Sequence, residues 1–193
     1  MARPREFDTD ETLAKAMDVF WEAGYGEAKL PDLLNGMNLT RGSLYKAFKD
    51  KKSLFLQVLA NYDDQAVSGA VTLLTSPEQD GWDRIFAVFD SIVATVETGD
   101  RRGCLLCSAV AGPATYDSDI AAFARKSLDR MRVGFRQAVL ESQHPNDAEG
   151  TAHFLVTQYV GLRIMSRADI SAATIKQNVA ALRTLVTASY PKM

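Results

Sequence analysis

Residues 40–55 read TRGSLYKAFKDKKSLF, and this stretch lies between a helix-capping residue and a long apolar pattern. Thr40 can cap a short helix over about residues 41–47 by accepting a hydrogen bond from a backbone N–H one turn further on. Asp50 can cap the next helix in the same way, and apolar residues then recur at helical spacing up to about residue 75. The stretch therefore predicts a short helix followed directly by a long one.

Two more helices are predicted upstream of this stretch. Asp8 is a suitable N-cap for a first helix over about residues 9–23, which Gly24 would end. A second, short helix is expected over about residues 31–36, and Asn38 can adopt the left-handed backbone that the following turn needs. Two short helices around such a turn, supported by a first helix and followed by a long one, are typical of a helix-turn-helix unit.

Apolar residues recur at helical spacing through the rest of the chain as well, and no run alternates with period two for long. Counting the helix that ends near residue 75 as the fourth, we predict nine helices. The last five are expected over about residues 78–98, 103–113, 118–143, 146–167 and 171–189. The predicted fold is all-α, with a three-helix helix-turn-helix domain over residues 1–60 and a six-helix domain over residues 61–193.

The charge of the chain is unevenly distributed. Its net charge is −2, but residues 29–55 carry six basic side chains against two acidic ones, whereas residues 62–193 carry 13 basic and 15 acidic ones. Arg3 and Arg5 add a basic arm before the first helix. A positive face on a mildly acidic body is the electrostatic pattern of a DNA-binding protein, although an ordinary solvated cluster of charges has the same composition.

The segment from Gly42 to Phe55 resembles the TetR family of repressors, whose pattern here is G-x-L-Y-x-x-F-x-x-K-x-x-L. Upstream, the residues FWEAGY at 20–25 are similar to the end of the family's first helix, and DLL at 32–34 occupies the place of its Asp-Ile-Ala segment. The resemblance covers residues 8–60, and beyond them it depends on length and helix count. It implies a dimeric, DNA-binding repressor whose C-terminal half binds a small-molecule effector.

The resemblance also implies which residues contact double-stranded operator DNA. Tyr45 and Lys51 are expected to contact phosphates, while Arg41, Ser43 and Lys46 are candidates for reading base edges. The predicted DNA-binding set is completed by Lys29, Thr40 and Gly42. Gly42 has no side chain, so the start of the recognition helix can approach the phosphates closely. Lys29 stands where the family often has a capping Thr or Ser, so it could bind a phosphate but could not cap the second helix.

The last two helices are the predicted dimer surface. Pairing their apolar stripes with those of a second copy would form a four-helix bundle and carry two recognition helices about 34–36 Å apart. The predicted dimer residues are Phe154, Gln158, Gly161, Leu162, Met165, Val179, Leu182 and Val186. The alternative, that these stripes are internal core, is expected to hold for part of each.

The resemblance further implies an effector pocket between the fifth, seventh and eighth predicted helices. Side chains that could line it are Phe86, Phe89, Cys104, Tyr116, Phe123, Met131, Phe135 and Tyr159. An aromatic stripe at helical spacing is more often ordinary core than the wall of a binding site, and the sequence does not identify the effector.

Cys104 indicates an alternative mechanism, in which the repressor senses oxidants through a thiol. It follows Arg101, Arg102 and Gly103 at the start of a short helix, where the helix dipole and the basic neighbours can lower a thiol pKa. Some repressors of this family carry a Gly-Cys pair here and respond to electrophiles or oxidants. Cys107 could act as the resolving thiol, although both residues could equally be small buried hydrophobes.

The alternatives to a DNA-binding repressor are an enzyme and a helical partner protein that does not bind DNA. His144 and His153 have no neighbours that indicate a catalytic triad, a metal site or a phosphate-binding loop, so we predict no catalytic residue, metal or cofactor. The basic segment argues against a partner protein without DNA binding. No secretory signal and no apolar run of about 20 residues is visible, so the chain is predicted to be cytoplasmic, without a membrane partner.

Overall fold

The computed structural model describes residues 8–143 and 147–188, which leaves Arg3, Arg5 and His144 outside the described residues. The described part contains nine α-helices, which confirms the all-α prediction. Their bounds are α1 Thr9–Glu27, α2 Leu30–Met37, α3 Arg41–Phe48, α4 formed by the consecutive segments Lys51–Tyr62, Asp63–Val67 and Ser68–Thr75, α5 Gly81–Glu97, α6 Leu105–Ala111, α7 Ser118–Leu140, α8 Ala148–Arg167 and α9 Ala172–Ala188. Within the described residues, every helix is too short or too polar to cross a membrane.

Helix boundaries follow the local capping chemistry, with two differences from the prediction. Gly24 interrupts α1 with φ +80° and ψ 158°, but the chain makes one further turn before the helix ends, so α1 is kinked and not terminated there. The fifth helix begins at residue 81 and not near residue 78, because the Asp80 carboxylate accepts a hydrogen bond from the Trp82 N–H at 2.9 Å and caps it. After α6 the chain forms a 3₁₀ turn over Pro113–Tyr116.

The turn before the recognition helix has the predicted backbone. Asn38 lies in the left-handed region with φ +54° and ψ 44°, as its short amide side chain permits. The start of α2 has no side-chain cap from its N-cap residue, as predicted for Lys29. The Asp32 carboxylate accepts a hydrogen bond from the Lys29 N–H at 3.3 Å, which supplies only the acidic half of a capping box.

An aromatic cluster attaches α1 to α4. The Phe55 ring centroid lies 4.7 Å from that of Phe20 and 4.7 Å from that of Tyr25. Leu33 from α2 and Leu44 from α3 are fully buried in the same core. We call α1, α2 and α3 the head. The shared core packs the head against α4.

The remaining helices form the body, in which α5, α7, α8 and α9 pack together. Phe89 of α5 stacks on Phe135 of α7 with the ring centroids 5.9 Å apart. The buried Arg84 side chain donates to the Leu74 carbonyl at 2.8 Å and pairs with Glu141 at 2.9 Å, so α4, α5 and the end of α7 meet at one guanidinium. These contacts join the long α4 to the body, so α4 connects the body to the head.

Candidate nucleic-acid interface and thiol cluster

Helix α3 buries its apolar face and exposes its polar one. Leu44 and Phe48 are buried, whereas Arg41 and Lys46 are exposed and Tyr45 retains 45% of its accessible surface. This division follows from the helical period, because residues three and four positions apart share one face. A large aromatic side chain that is left outside the core on a basic helix face is suited to contacting a partner molecule.

The first turn of α3 is ordered by its cap. The Thr40 hydroxyl accepts a hydrogen bond from the Ser43 N–H at 3.2 Å and lies 2.9 Å from the Ser43 hydroxyl. A Cβ atom placed on Gly42 would meet nothing within 4 Å, so this end of the helix is open to an approaching strand of DNA. Thr40, Arg41, Gly42 and Ser43 therefore lie together at one helix N-terminus, where backbone N–H groups and the helix dipole favour phosphate.

The basic side chains around α3 divide into unpaired and paired ones. Lys29, Arg41 and Lys46 form no ion pair with any residue that the structure describes. Lys52, by contrast, lies 3.1 Å from Asp117 and 2.5 Å from Asp119 of the body. Lys29, Arg41 and Lys46 therefore keep exposed positive charge that no acidic side chain among the described residues neutralises.

Lys51 lies at the start of α4 and is partly buried. Its Nζ atom lies 4.9 Å above the Tyr25 ring and donates to the Gly26 carbonyl at 3.4 Å. Burial lowers the pKa of Lys51, and the nearby Glu27 carboxylate opposes that shift. The Asp50 cap of the same helix accepts a hydrogen bond from the Ser53 N–H, which lowers the pKa of Asp50. Lys51 is thus held near the free N–H groups of α4.

Comparison with known proteins identifies this head. The model of the family described as bacterial regulatory proteins, tetR family, matches residues 13–58, which contain α2, α3 and the parts of α1 and α4 that pack on them. The chain therefore carries the DNA-binding domain of the TetR family over these residues. It is a DNA-binding transcriptional regulator and not an enzyme, as the sequence predicted.

Relatives match both halves of the chain. The HTH-type transcriptional repressor ComR of Escherichia coli (strain K12) is 28% identical over 183 residues, which cover 91% of this chain and 87% of ComR. The uncharacterized HTH-type transcriptional regulator YezE of Bacillus subtilis (strain 168) is 25% identical over 151 residues, 78% of this chain and 77% of YezE. Among solved structures, a cysteine mutant of the TetR family regulator CifR, complexed with 26-base-pair operator DNA, is 29% identical, covers 93% of this chain and 99% of that one, and has a TM-score of 0.76.

The predicted pocket residues of the body differ in how deeply they are buried. Phe86, Phe89, Met131 and Phe135 are buried in the core, and Phe123 is partly buried against it. Tyr116, by contrast, lies on the 3₁₀ turn with 90% of its surface exposed. Helical spacing places residues on a common face but does not show whether that face meets another helix or a cavity.

Tyr159 lies at the wall of a cleft of about 230 Å³ between α4, α5 and α8. The other lining residues are Ala66, Gly69, Ala70, Leu73, Val88, Ser91 and Arg163. The cleft is therefore mostly apolar, with a hydroxyl, a phenol and a guanidinium as its polar groups. Mostly apolar clefts with a few convergent polar groups are the usual form of small-molecule sites.

Cys104 and Cys107 lie close together at the start of α6 and are both buried. A hydrogen bond from the Cys107 thiol and another from the Tyr62 hydroxyl lower the pKa of Cys104 to about 6, against the opposing effect of burial. The same hydrogen bond with Cys104, together with burial, raises the pKa of Cys107. The pair is thus unequal: the pKa of Cys104 is lowered and that of Cys107 is raised, so Cys104 is the more readily ionised thiol.

Tyr62 and Arg163, which the sequence did not single out, complete this thiol cluster. The positive charge of Arg163 also favours the Cys104 thiolate. The Arg163 guanidinium lies 5.5 Å from the Tyr159 ring centroid, and its buried Nε atom has no hydrogen-bond partner among the described residues. These side chains come from α4, α6 and α8, so no local pattern in the sequence connects them.

The predicted dimer residues divide between the surface and the core. Leu162, Val179, Leu182 and Val186 are buried inside this chain, so they stabilise the body and present little surface to a second copy. Phe154 and Gly161 are exposed, and Gln158 and Met165 are partly exposed on the same side of α8. The open face of α8 is continued by Leu185 of α9, which is 63% exposed.

Proposed function

We propose that this regulator is a dimeric repressor that leaves its operator when its C-terminal half binds a small molecule or reacts with an electrophile. Residues 1–60 form the DNA-binding domain in this proposal, residues 61–193 form the effector-binding and dimerisation domain, and the protein acts on DNA in the cytoplasm. The observation that carries it is the division of α3 into a buried apolar face and an exposed face bearing Arg41, Tyr45 and Lys46. Repression is supported by ComR, a transcriptional repressor, and by CifR, which binds operator DNA.

A mobility-shift titration on the DNA upstream of the protein's own gene tests the DNA contacts. Replacing Tyr45 or Lys51 with alanine should weaken binding to every duplex, since phosphate contacts carry no sequence information. Replacing Arg41 or Lys46 should change which bases are preferred, by about 1–3 kcal/mol for a good base contact. Lys126→Gln, which removes an exposed charge on α7 of the body, is the matched control and should leave binding nearly unchanged. Equal losses on every sequence for all four variants would contradict these roles.

Dimerisation through α8 and α9 is supported by their exposed apolar surface. Phe154 is 44% exposed, Ile164 is 36% exposed and Leu185 is 63% exposed, and all three lie on the last two helices. A Cβ atom on Gly161 would meet nothing within 4 Å in the single chain. Large apolar side chains gathered around an exposed glycine on neighbouring helices favour a close, self-complementary helix contact.

Gly161→Leu should therefore dissociate the dimer without unfolding the chain. The leucine has open space in one chain but would hold two closely packed α8 helices apart, at a cost of about 1–3 kcal/mol, or roughly 5- to 150-fold in the dimer dissociation constant. Analytical ultracentrifugation would measure the change. Gly69→Leu is the matched control, because Gly69 also faces open space but lies on α4, away from the proposed interface. An unchanged dissociation constant would exclude Gly161 from the interface.

Release by an effector requires two arrangements of the dimer with different distances between the recognition helices. A ligand shifts this equilibrium only by its difference in affinity for the two arrangements. The cleft that contains Tyr159 and Arg163 touches α4, which carries the head, and α8, which carries the proposed dimer surface. A ligand bound there would contact both helices whose relative position sets the distance between the heads.

Thiol sensing through Cys104 is a second candidate, and the thiol cluster favours it. In this mechanism the Cys104 thiolate attacks one oxygen of hydrogen peroxide, the O–O bond breaks, and the products are a Cys104 sulfenic acid and hydroxide. The Cys107 thiol then attacks the sulfenic sulfur, which forms a disulfide and releases water. Peroxide gains two electrons, and the two thiols together lose two electrons when they form the disulfide.

The ionisation of Cys104 is directly testable from the ultraviolet absorbance of its thiolate. The absorbance that Cys104→Ser removes should titrate with a midpoint at pH about 6, so the thiolate is present at neutral pH and is lost as the pH falls through that value. Arg163→Gln should move the midpoint upward, because a positive charge near the thiolate is removed. A wild-type midpoint at about 8.5 or higher, the range of an ordinary cysteine, would leave no basis for thiol sensing. Peroxide-driven operator release that persists in Cys104→Ser would also exclude this residue.

A further inference from the structure

A polar contact joins the end of the regular part of α1 to the last turn of α8. The Arg167 guanidinium donates one hydrogen bond to the Trp21 carbonyl at 2.5 Å and another to the Glu22 carbonyl at 2.9 Å. These carbonyls lie just before the break at Gly24, where a helix end carries unsatisfied acceptors and the negative end of its dipole. Arg167 thus caps a helix of the head from a helix of the body.

The loop before α6 strengthens this contact. The Trp21 indole N–H donates to the Arg102 carbonyl at 3.0 Å, and the Arg102 guanidinium lies 4.3 Å from the Trp21 ring centroid. Arg102 also pairs with Asp18 of α1 at 3.1 Å. We call these contacts of Arg102 and Arg167 with α1 the head–body seam.

The same loop lies directly on α8. A Cβ atom on Gly103 would approach the Arg163 carbonyl oxygen to 2.4 Å, so only glycine permits this closeness. Gly103 also has φ +70°, a conformation that favours glycine. The loop therefore packs on α8 and also binds α1 through Arg102. A shift of α8 must then either carry the head with it or break the seam.

We propose that Arg167 determines the half-site spacing that this regulator accepts, by fixing the head to the helix that carries the dimer surface. This inference depends on the dimer proposed above, in which each α8 meets its copy. The distance between two recognition helices is then set by how rigidly each head is attached to its own α8. Half-sites one helical turn apart require that distance to be close to 34–36 Å.

The chemistry of arginine suits this role. A planar guanidinium can donate to two neighbouring carbonyls at once, whereas a lysine ammonium acts as a single point charge on a flexible stem. The seam also contacts the thiol cluster, because the Trp21 ring lies edge-on to the Tyr62 ring with the centroids 5.1 Å apart. A change at Cys104, which accepts a hydrogen bond from Tyr62, would therefore reach the seam through one side chain.

The test compares half-site spacings. The probes are a duplex selected from a random library by the wild-type protein, the same duplex with one base pair inserted or deleted at its centre, and a duplex with a single half-site. If Arg167→Gln leaves about a tenth of the dimers at the correct spacing, affinity for the parent duplex falls about tenfold and the difference between the parent and altered spacings shrinks. Affinity for the single half-site should stay at the wild-type level, since the head itself is intact.

Two further variants distinguish spacing from general stability. Trp21→Phe removes the indole N–H that donates to Arg102, so it should reduce the spacing preference in the same direction if the seam acts as proposed. Arg101→Gln is the matched control, because Arg101 contacts Ile170 and Asp169 of the body and has no contact with α1 that the structure shows. Its spacing preference should equal that of the wild type. Thermal unfolding of each variant shows whether the fold is retained.

The outcomes separate this inference from the dimer proposal. A dimeric wild type whose spacing preference survives in both Arg167→Gln and Trp21→Phe would overturn the role of the seam alone. The same loss of preference in Arg101→Gln would also overturn it, because the effect would then not require contact with α1. A wild type that sediments as a monomer and shows no spacing preference would overturn the dimer, and the inference with it.

Discussion

Phe55→Ala is expected to lower the free energy of unfolding by about 3–5 kcal/mol, the range for truncating a buried phenylalanine. Phe55 is only 1% exposed, and its ring contacts those of Phe20 and Tyr25, both at 4.7 Å between centroids. Removing the ring leaves a cavity between α1 and α4 that the surrounding helices cannot fill without moving. DNA binding should fall as well, because this core holds the recognition helix in position.

Urea denaturation followed by circular dichroism would measure the loss for Phe55→Ala. The control is Gln57→Ala, an exposed position two residues further along α4, which should change stability by no more than about 0.5 kcal/mol. A loss below about 1 kcal/mol for Phe55→Ala would show that the aromatic cluster does not attach the head to α4.

Gly81→Ala is expected to cost about 3 kcal/mol, an unusually large effect for adding one methyl group. A Cβ atom at this position would lie 1.7 Å from the Ala138 carbonyl oxygen and 2.7 Å from its carbon. The obstacle is backbone of α7, so no rotation of a side chain can relieve the clash and the start of α5 must move away. That movement would disturb the Asp80 cap and the burial of Arg84 in the next turn.

Gly69→Ala is the matched comparison for Gly81→Ala. Gly69 is helical and exposed, and a Cβ atom there would meet nothing within 4 Å. Alanine should therefore stabilise the chain by about 0.5–1 kcal/mol, through the lower backbone entropy of its unfolded state. Differential scanning calorimetry should show melting temperatures that move in opposite directions. If both variants lose or both gain stability, contact with α7 is not the cause.

The helix-turn-helix could be predicted in detail because its signals act within one turn of the chain. Thr40 and Asp50 cap the helices that they precede, Asn38 adopts the left-handed turn, and Leu44 and Phe48 point into the core at helical spacing. The hydrogen bond from the Lys29 N–H to the Asp32 carboxylate was not predicted, because only the residue before α2 was considered.

The sequence by itself therefore determined the helices, the recognition helix and the polarity of its two faces. Tertiary structure alone decided that Tyr62 and Arg163 surround Cys104, that Arg167 caps α1, and that Val179 and Leu182 lie in the core of one chain. The physical reason is range: capping and helical periodicity couple residues up to about four positions apart. The thiol cluster and the head–body seam join side chains that are up to 146 positions apart, and only the packing of whole helices brings them together.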